Sequence, residues 1–279
     1  MKTSLFTGIV AIASLAQAVE WKNVDADHYL GGRKASAGYL QGKVVLVDRW
    51  GAHCPPCRAL LPRIEDVWQS FKTKPLVILG GHCKGWGTAD EVAELISENK
   101  LTYPVYEDAG LAVGEPKFNA IPFLYVVDET GKVVYLGRDE RVATQAIVTA
   151  LTDMESPRNL AQWKRFLDYE LEHLPCRGYL RLKEFRKKFP KEAKEYDQKA
   201  KELLAVKDLR KVADLVEFAK KAKDPPVFGP KDTAKKAKYE KLVEDTISKS
   251  DILKTHPDPR VAQEAKNAIA DLKWTQATF

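Results

Sequence analysis

Cys54 and Cys57 stand three residues apart in the run Trp50-Gly51-Ala52-His53-Cys54-Pro55-Pro56-Cys57. Two thiols at this spacing can close a small disulfide ring, attack another disulfide, and resolve the mixed intermediate with the second sulfur. The same spacing can form half of a zinc site, with His82 and Cys83 as candidates for the remaining ligands, or a purely structural bridge. From Cys57 to Phe71 the apolar residues Leu60, Leu61, Ile64, Val67, Trp68 and Phe71 recur at helical spacing. Cys54 therefore falls at a helix N-terminus, where free N–H groups and the helix dipole favour a thiolate.

The elements that must hold this pair form an alternating pattern. Val44-Val45-Leu46-Val47 and Leu76-Val77-Ile78-Leu79 are continuous apolar runs, as expected of strands covered on both faces. A second helix is predicted over Ala89 to Asn99, with Thr88 as N-cap and Val92, Leu95 and Ile96 on one side. Phe123 to Val127, the turn Asp128-Glu129-Thr130-Gly131, and Lys132 to Leu136 read as a hairpin, and a last helix covers roughly Val142 to Leu151. Strand, helix, strand, helix, hairpin, helix predicts an α/β fold with a central mixed sheet flanked by helices.

Three further features join the cysteine pair in a fixed order. Gly42-Lys43-Val44-Val45-Leu46-Val47-Asp48-Arg49-Trp50-Gly51 leads into the motif, Pro62 follows it, and Ala120-Ile121-Pro122-Phe123 precedes the hairpin. Together they resemble the thioredoxin superfamily, specifically its exported TlpA/ResA-like thiol-disulfide oxidoreductases, over about residues 31–152. The resemblance implies a thioredoxin-like fold and dithiol-disulfide exchange on protein substrates. It implies no metal or bound cofactor, and a protein electron donor or acceptor not identified by the sequence.

Residue roles follow. Cys54, more exposed and more acidic at the helix terminus, is the expected nucleophile, and Cys57 the resolving thiol. Asp48 matches the family's buried acid that relays protons to and from the resolving cysteine, and desolvation should raise its pKa for general-base work. Its alternative is an ion pair with Arg49 or Lys43. Pro122 matches the family's cis-proline, leaving the Ile121 backbone to pair with an extended substrate, and Pro62 matches the proline that kinks the active-site helix. Trp50, His53, Pro55 and Pro56 complete the candidate substrate-binding surface, although packing is the preferred reading for Trp50. His53 stands where many members have Trp. It would add a positive field beside Cys54 or be neutral.

Pro55 and Pro56 lack N–H groups, so the first helical turn has lost two donors that could reach the sulfur. A less stabilised thiolate makes a more reducing couple. The expected reaction is reduction of protein disulfides, with disulfide donation as the alternative. The two remaining cysteines suggest a Cys83–Cys176 bridge, since an even count favours pairing in an oxidising compartment. Such a bridge would hold the C-terminal half near the active-site rim. The alternatives are two separate buried thiols, or Cys83 as a third redox thiol.

The chain has 279 residues, 44% hydrophobic and 30% charged, which suggests two domains and excludes a disordered or fibrous chain. No apolar run reaches the ~18 to 20 residues of a membrane span. Met1-Lys2-Thr3, the apolar stretch Leu5 to Leu15 and Ala16-Gln17-Ala18 read as a secretory signal peptide over residues 1–18, so a periplasmic or secreted protein is expected. Residues 19–156, the thioredoxin-like domain, carry 15 Lys and Arg against 19 Asp and Glu, whereas residues 157–279 carry 29 against 20.

That basic half repeats apolar residues at helical spacing, as in Leu160, Trp163, Leu167, Leu171 and Leu174, and is punctuated by Pro175, Pro190, Pro225, Pro226, Pro230, Pro257 and Pro259. A small all-α domain of five or six short helices is predicted. Its Lys187-Lys188, Lys220-Lys221 and Lys235-Lys236 pairs are interleaved with acids, so nucleic acid is not expected as a partner, and an anionic partner is an alternative to a solvated face. From a different functional class, the chain could be a non-enzymatic scaffold whose helical domain holds a partner.

Overall fold

A computed structural model describes residues 19–222 and 232–277. The signal-peptide reading of residues 1–18 and the breaks at Pro225, Pro226 and Pro230 lie outside the described residues. In chain order the first half contains β1 (Trp21–Lys22), β2 (Tyr29–Gly31), α1 (Ala37–Leu40), β3 (Val44–Trp50), α2 (Pro55–Phe71), β4 (Leu76–His82) and α3 (Ala89–Glu98). It continues with β5 (Val105–Glu107), β6 (Gly110–Leu111), β7 (Phe123–Val127), β8 (Val133–Gly137) and α4 (Glu140–Glu155). Six strands make one mixed sheet in the order β2-β5-β4-β3-β7-β8, while β1 and β6 form a separate pair. β3 runs parallel to β4 and antiparallel to β7. The strands missing from the sequence reading, β1, β2, β5 and β6, are two or three residues long, too short to show a period.

Every residue of β3 is buried because helices cover both sheet faces. On one face Val44, Leu46 and Trp50 join Cys57, Leu61, Ile64 and Trp68 of α2 and Ile147 of α4 in a single apolar cluster. On the other, Val45 and Val47 pack with Tyr39 and Leu40 of α1, Val77, Leu79, Tyr125 and Val127.

The second half is helical: α5 (Leu160–His173), α6 (Pro175–Lys188), α7 (Asp197–Ala205), α8 (Leu209–Ala222), α9 (Thr233–Ser250) and α10 (Pro259–Ala277). It has its own cluster, with Trp163, Leu167, Phe185, Val212, Val261 and Leu272 among its buried residues. Pro175 opens α6 without a side-chain cap, and Glu264 of α10 supplies one by accepting the Cys176 N–H at 2.7 Å and the Arg177 N–H at 2.9 Å. Several lysines sit in local ion pairs, such as Lys221 with Glu217 and Lys235 with Asp232, as on a solvated face. No helix among the described residues is long and apolar enough to cross a membrane.

The helical half docks at the start of β3. Tyr39 Oη donates to Asp271 Oδ1 at 2.6 Å, and Lys43 Nζ lies 3.6 Å from Asp271 Oδ2. Asn267 Nδ2 donates to the Gly38 carbonyl at 3.0 Å, and an Arg177 guanidinium N–H donates to the Gly42 carbonyl at 2.6 Å. Gly42 has φ +67°, and a Cβ there would fall 2.3 Å from Leu174, so this junction needs glycine twice over. The motif cysteines follow the opposite end of the seven-residue strand, about 20 Å away at ~3.3 Å per residue.

This placement corrects the Cys83–Cys176 bridge. Both cysteines are free and buried, Cys83 just past the end of β4 and Cys176 inside the helical cluster. The helical half therefore does not reach the active-site rim through a disulfide. The buried contacts at the other end hold it instead. Asp271→Ala would leave Lys43, 7% exposed, without that carboxylate, and should lower unfolding stability by about 3 kcal/mol or more in chemical denaturation.

Candidate active site

The chain leaves β3 through Gly51, where a Cβ would come within 2.5 Å of Trp86 Cβ and 3.1 Å of Ile121 Cδ1. Only glycine lets the backbone pass between these two side chains, and Cys54 is thereby delivered to the N-terminus of α2. Cys54 is the N-cap residue, its Sγ accepts the Cys57 N–H at 3.3 Å, and Pro55 and Pro56 occupy the first two helical positions. Two donors are absent from that turn, as the sequence implied, and the third points at the sulfur. Cys54 and Cys57 are joined in a disulfide, 4% and 1% exposed, while Pro55 and Pro56 face solvent.

Asp48 lies on the same sheet face as Leu46 and Trp50, beneath α2, by the alternation of β3. It is 1% exposed, and neither carboxyl oxygen has a hydrogen-bond partner. Neither cation of the alternative reading bonds it. Arg49 points to the other face, donating to the Ala109 carbonyl at 2.8 Å and to Asp108 Oδ1 at 2.9 Å, and Lys43 pairs with Asp271. Burial pushes the Asp48 carboxyl up to about 7, with the Arg49 charge offsetting only part.

The rim is built from two loops. The Ile121–Pro122 peptide bond is cis, and both residues are half-buried. The Ile121 carbonyl already receives a long bond from Arg138 at 3.4 Å. Opposite it, Trp86 stands 46% exposed between Gly85 and Gly87, both with positive φ. Its carbonyl accepts the His53 N–H at 3.0 Å. Between the loops lies a cleft of about 280 Å³ lined by Trp86, Ile121, Phe118, Arg49, Asp108 and Cys83 among others. Burial pushes the Cys83 thiol up, which works against its acting as a third redox thiolate.

His53 is exposed, and its Nε2 lies 2.9 Å from Glu91 Oε1 at the start of α3. The His53 bond, followed by the Thr88 N–H and hydroxyl, pulls the Glu91 carboxyl down to about 2. A positive His53 therefore has a carboxylate beside it and does not present a bare charge to Cys54.

Trp50 takes its packing reading, and its place among the substrate-binding candidates is corrected. It is 0% exposed, its ring packed edge-on against His82 at 5.1 Å, so it supports the site from below. The exposed aromatic at the rim is Trp86. Its signal in the sequence was the Gly85-Trp86-Gly87 triplet four residues past β4. Nothing in the sequence marked Glu91 as a partner of His53, 38 residues away.

Residues 15–136 match the AhpC/TSA family. The thiol-disulfide oxidoreductase ResA of Bacillus cereus is 28% identical over 106 residues, covering 38% of this chain and 60% of that protein. ResA of Oceanobacillus iheyensis is 30% identical over 95 residues, covering 34% and 48%, and the protein DipZ of Mycobacterium bovis is 26% identical over 133 residues, covering 46% and 19%. The chain thus spans between about a fifth and three fifths of the length of these relatives. Among solved structures, a thioredoxin-family thiol:disulfide interchange protein of Chlorobium tepidum is 21% identical with a TM-score of 0.39, covering 44% of this chain and 90% of that one. A thiol-disulfide isomerase of Corynebacterium glutamicum is 18% identical with a TM-score of 0.40, covering 49% and 97%. With β3 central in its mixed sheet and a C-x-x-C pair capping α2, the first half has a thioredoxin-like fold, and residues 15–136 match the AhpC/TSA family and are similar in sequence to the ResA thiol-disulfide oxidoreductases.

Proposed function

We propose that the protein is an exported thiol-disulfide oxidoreductase that reduces disulfides of protein substrates through Cys54 and Cys57. The observation that carries this reading is the placement of a bonded cysteine pair at the N-terminus of α2 above the partnerless acid Asp48. Export is supported by the signal-like pattern of residues 1–18, and the division into a thioredoxin-like domain to residue 156 and a helical domain from residue 157 belongs to the same proposal.

In the reduced protein the Cys54 thiolate attacks a substrate disulfide. One substrate sulfur leaves as a thiolate and takes up a proton, and a mixed disulfide forms on Cys54. Asp48, ionised in roughly half the molecules near its value of about 7, accepts the Cys57 proton. The Cys57 thiolate then attacks Cys54 Sγ, the second substrate thiol departs, and the Cys54–Cys57 disulfide remains. Two electrons have passed to the substrate, and an external dithiol must return them. Ile121, Pro122, Trp86 and the exposed Pro55 and Pro56 form the surface that an extended substrate meets. The open rim suits a polypeptide.

Cys54→Ser should abolish insulin reduction, and Cys57→Ser should trap substrates on Cys54 as mixed disulfides identifiable by mass spectrometry. A scaffold without redox chemistry would show neither. The missing donors of Pro55 and Pro56 and the pairing of His53 with Glu91 together predict a reducing couple, nearer ~−270 mV than ~−120 mV. A glutathione equilibrium titration gives this directly.

Asp48 generates a coupled pH prediction. Its carboxyl holds a proton up to about 7 in the folded protein, against ~3.9 in an unfolded chain. Folding thus takes up a proton between these values, and the native state loses about 4 kcal/mol as pH rises from ~4 to ~7. Asp48→Asn removes this loss. The variant should be more stable than wild type at pH 8 but not at pH 4, while exchanging disulfides roughly 10²-fold more slowly.

A further inference from the structure

Glu129, in the turn that ends β7, is 1% exposed, and neither of its carboxyl oxygens has a hydrogen-bond partner. Its own backbone N–H approaches without reaching hydrogen-bond geometry. The surrounding cations do not bond it: their contacts go to other groups, and Arg165 Nε, also buried, has no hydrogen-bond partner. Asp128 Oδ1 accepts from Thr130 and Lys132, and its Oδ2 meets Arg165 at 3.3 Å. Arg177 bonds the Gly42 carbonyl and Glu170, and Arg181 bonds Glu170. A buried carboxyl left this way lacks the cation or donor that burial ordinarily demands.

Val19 lies at the same place. A Cβ on Gly131, two residues beyond Glu129, would sit 2.5 Å from Val19 Cγ2. The Val19 carbonyl accepts from Gln41 Nε2, and Gln41 Oε1 accepts from Tyr169 Oη at 3.2 Å. The Val19 N–H is aimed at that same Tyr169 hydroxyl, which also feels the charges of Glu129 and Asp128. Val19 therefore shares two neighbours with the orphan acid: its side chain meets Gly131, two residues beyond Glu129, and its backbone meets Tyr169, which feels the Glu129 charge. Val19 is also the first residue after Ala16-Gln17-Ala18.

We propose that Glu129, with Tyr169, Gln41 and Gly131 around it, is the acceptor site for the α-ammonium of Val19 that forms when residues 1–18 are removed. The inference rests on reading residues 1–18 as a cleaved signal. Hydrolysis of the Ala18–Val19 bond consumes one water, leaves a carboxylate on Ala18, and turns an uncharged amide into an amine of pKa ~7.7–8.0. That amine is protonated in about 80–90% of molecules at pH 7, and a carboxylate partner raises the fraction. Processing thus supplies the cation missing at Glu129. It fastens the mature N-terminus to the junction of the β7–β8 turn, the start of β3 and α5. The charged or titratable groups facing Glu129 are Asp128 from its own turn, Arg165 and Tyr169 from α5, and Arg177 and Arg181 from α6. The arginines also favour its ionised form, and the ammonium adds the contact they do not make.

Intact mass of the exported protein comes first, with an N-terminus at Val19 expected. Any other N-terminus overturns both the cleavage reading and this site while leaving the redox reading untouched. The mature chain with a free amine is then compared with the same chain acetylated at Val19, each with and without Glu129→Gln. At pH 7 the free-amine protein should melt about 3 °C or more above the acetylated form, with the difference lost in Glu129→Gln. Titration of the Val19 amine by NMR should give a pKa above the ordinary ~8.0, returning to it in Glu129→Gln. Equal melting of the free and blocked forms, a difference that survives Glu129→Gln, or an unshifted amine overturns the proposal even where the mass is as expected.

Discussion

The complete burial of β3 is the constraint on which the rest of the structure depends. A strand covered on both faces can carry a carboxyl only at a large desolvation cost, and Asp48 has neither a cation nor a hydrogen bond to offset it. What the position holds is a carboxyl whose burial raises its pKa to about 7, under the helix that carries Cys57. Arg49, the next residue, is also buried but faces the opposite side and is fully engaged by Asp108 and Ala109. The two adjacent charges are kept apart by the pleat of the strand itself, since neighbouring side chains point to opposite faces. A register slip of one residue would exchange them and neutralise the acid.

The same burial explains where the helical half must go. The face of the sheet formed by Val45, Val47, Val77 and Leu79 is covered in part by the four-residue α1, too short to shield six strands. Ala270 of α10 packs onto that cluster, and Trp274 approaches Trp68 of α2 at 6.4 Å. α10 thus touches both layers at the start of β3, with Ala270 on one face and Trp274 beside α2 on the other. The opposite end, where parallel β3 and β4 deliver Cys54 and Cys83, is left clear, so the Trp86 and Ile121 loops face outward across an open cleft. The fold separates what stabilises the sheet from the end that carries the cysteine pair.

Local features were legible in the sequence and long-range ones were not. The β3 and β4 runs, the helix after Cys57, the hairpin and the nucleophile's place at a helix terminus all follow from spacing within about fifteen residues. Asp48 and Arg49 broke the apolar run at Val47, so the strand extends three residues past its sequence signal, because polar side chains were buried by tertiary packing. Trp50, whose place beside the motif made it a substrate-binding candidate, belongs to the strand and points inward, as its packing reading had it. The Cys83–Cys176 expectation came from counting, and counting contains no information about which end of a sheet a second domain chooses. That choice is made by Tyr39, Gln41, Gly42 and Lys43 meeting residues more than 120 positions away.

The charge balance around Cys54 decides how the motif should behave. An N-cap sulfur ordinarily faces three free N–H groups, and here proline removes two, leaving the Cys57 N–H alone. His53 would restore the lost positive field if it stood by itself. Glu91 counters that, because its carboxylate is fixed by the Thr88 cap of α3 and meets the imidazole at 2.9 Å, so any positive charge on the ring has a carboxylate beside it. The cap residue of one helix thus governs the electrostatics at the N-terminus of another. On the proposed reductase reading, a sulfur with one N–H donor gains less from ionising than a sulfur with three, and the dithiol is correspondingly less favoured.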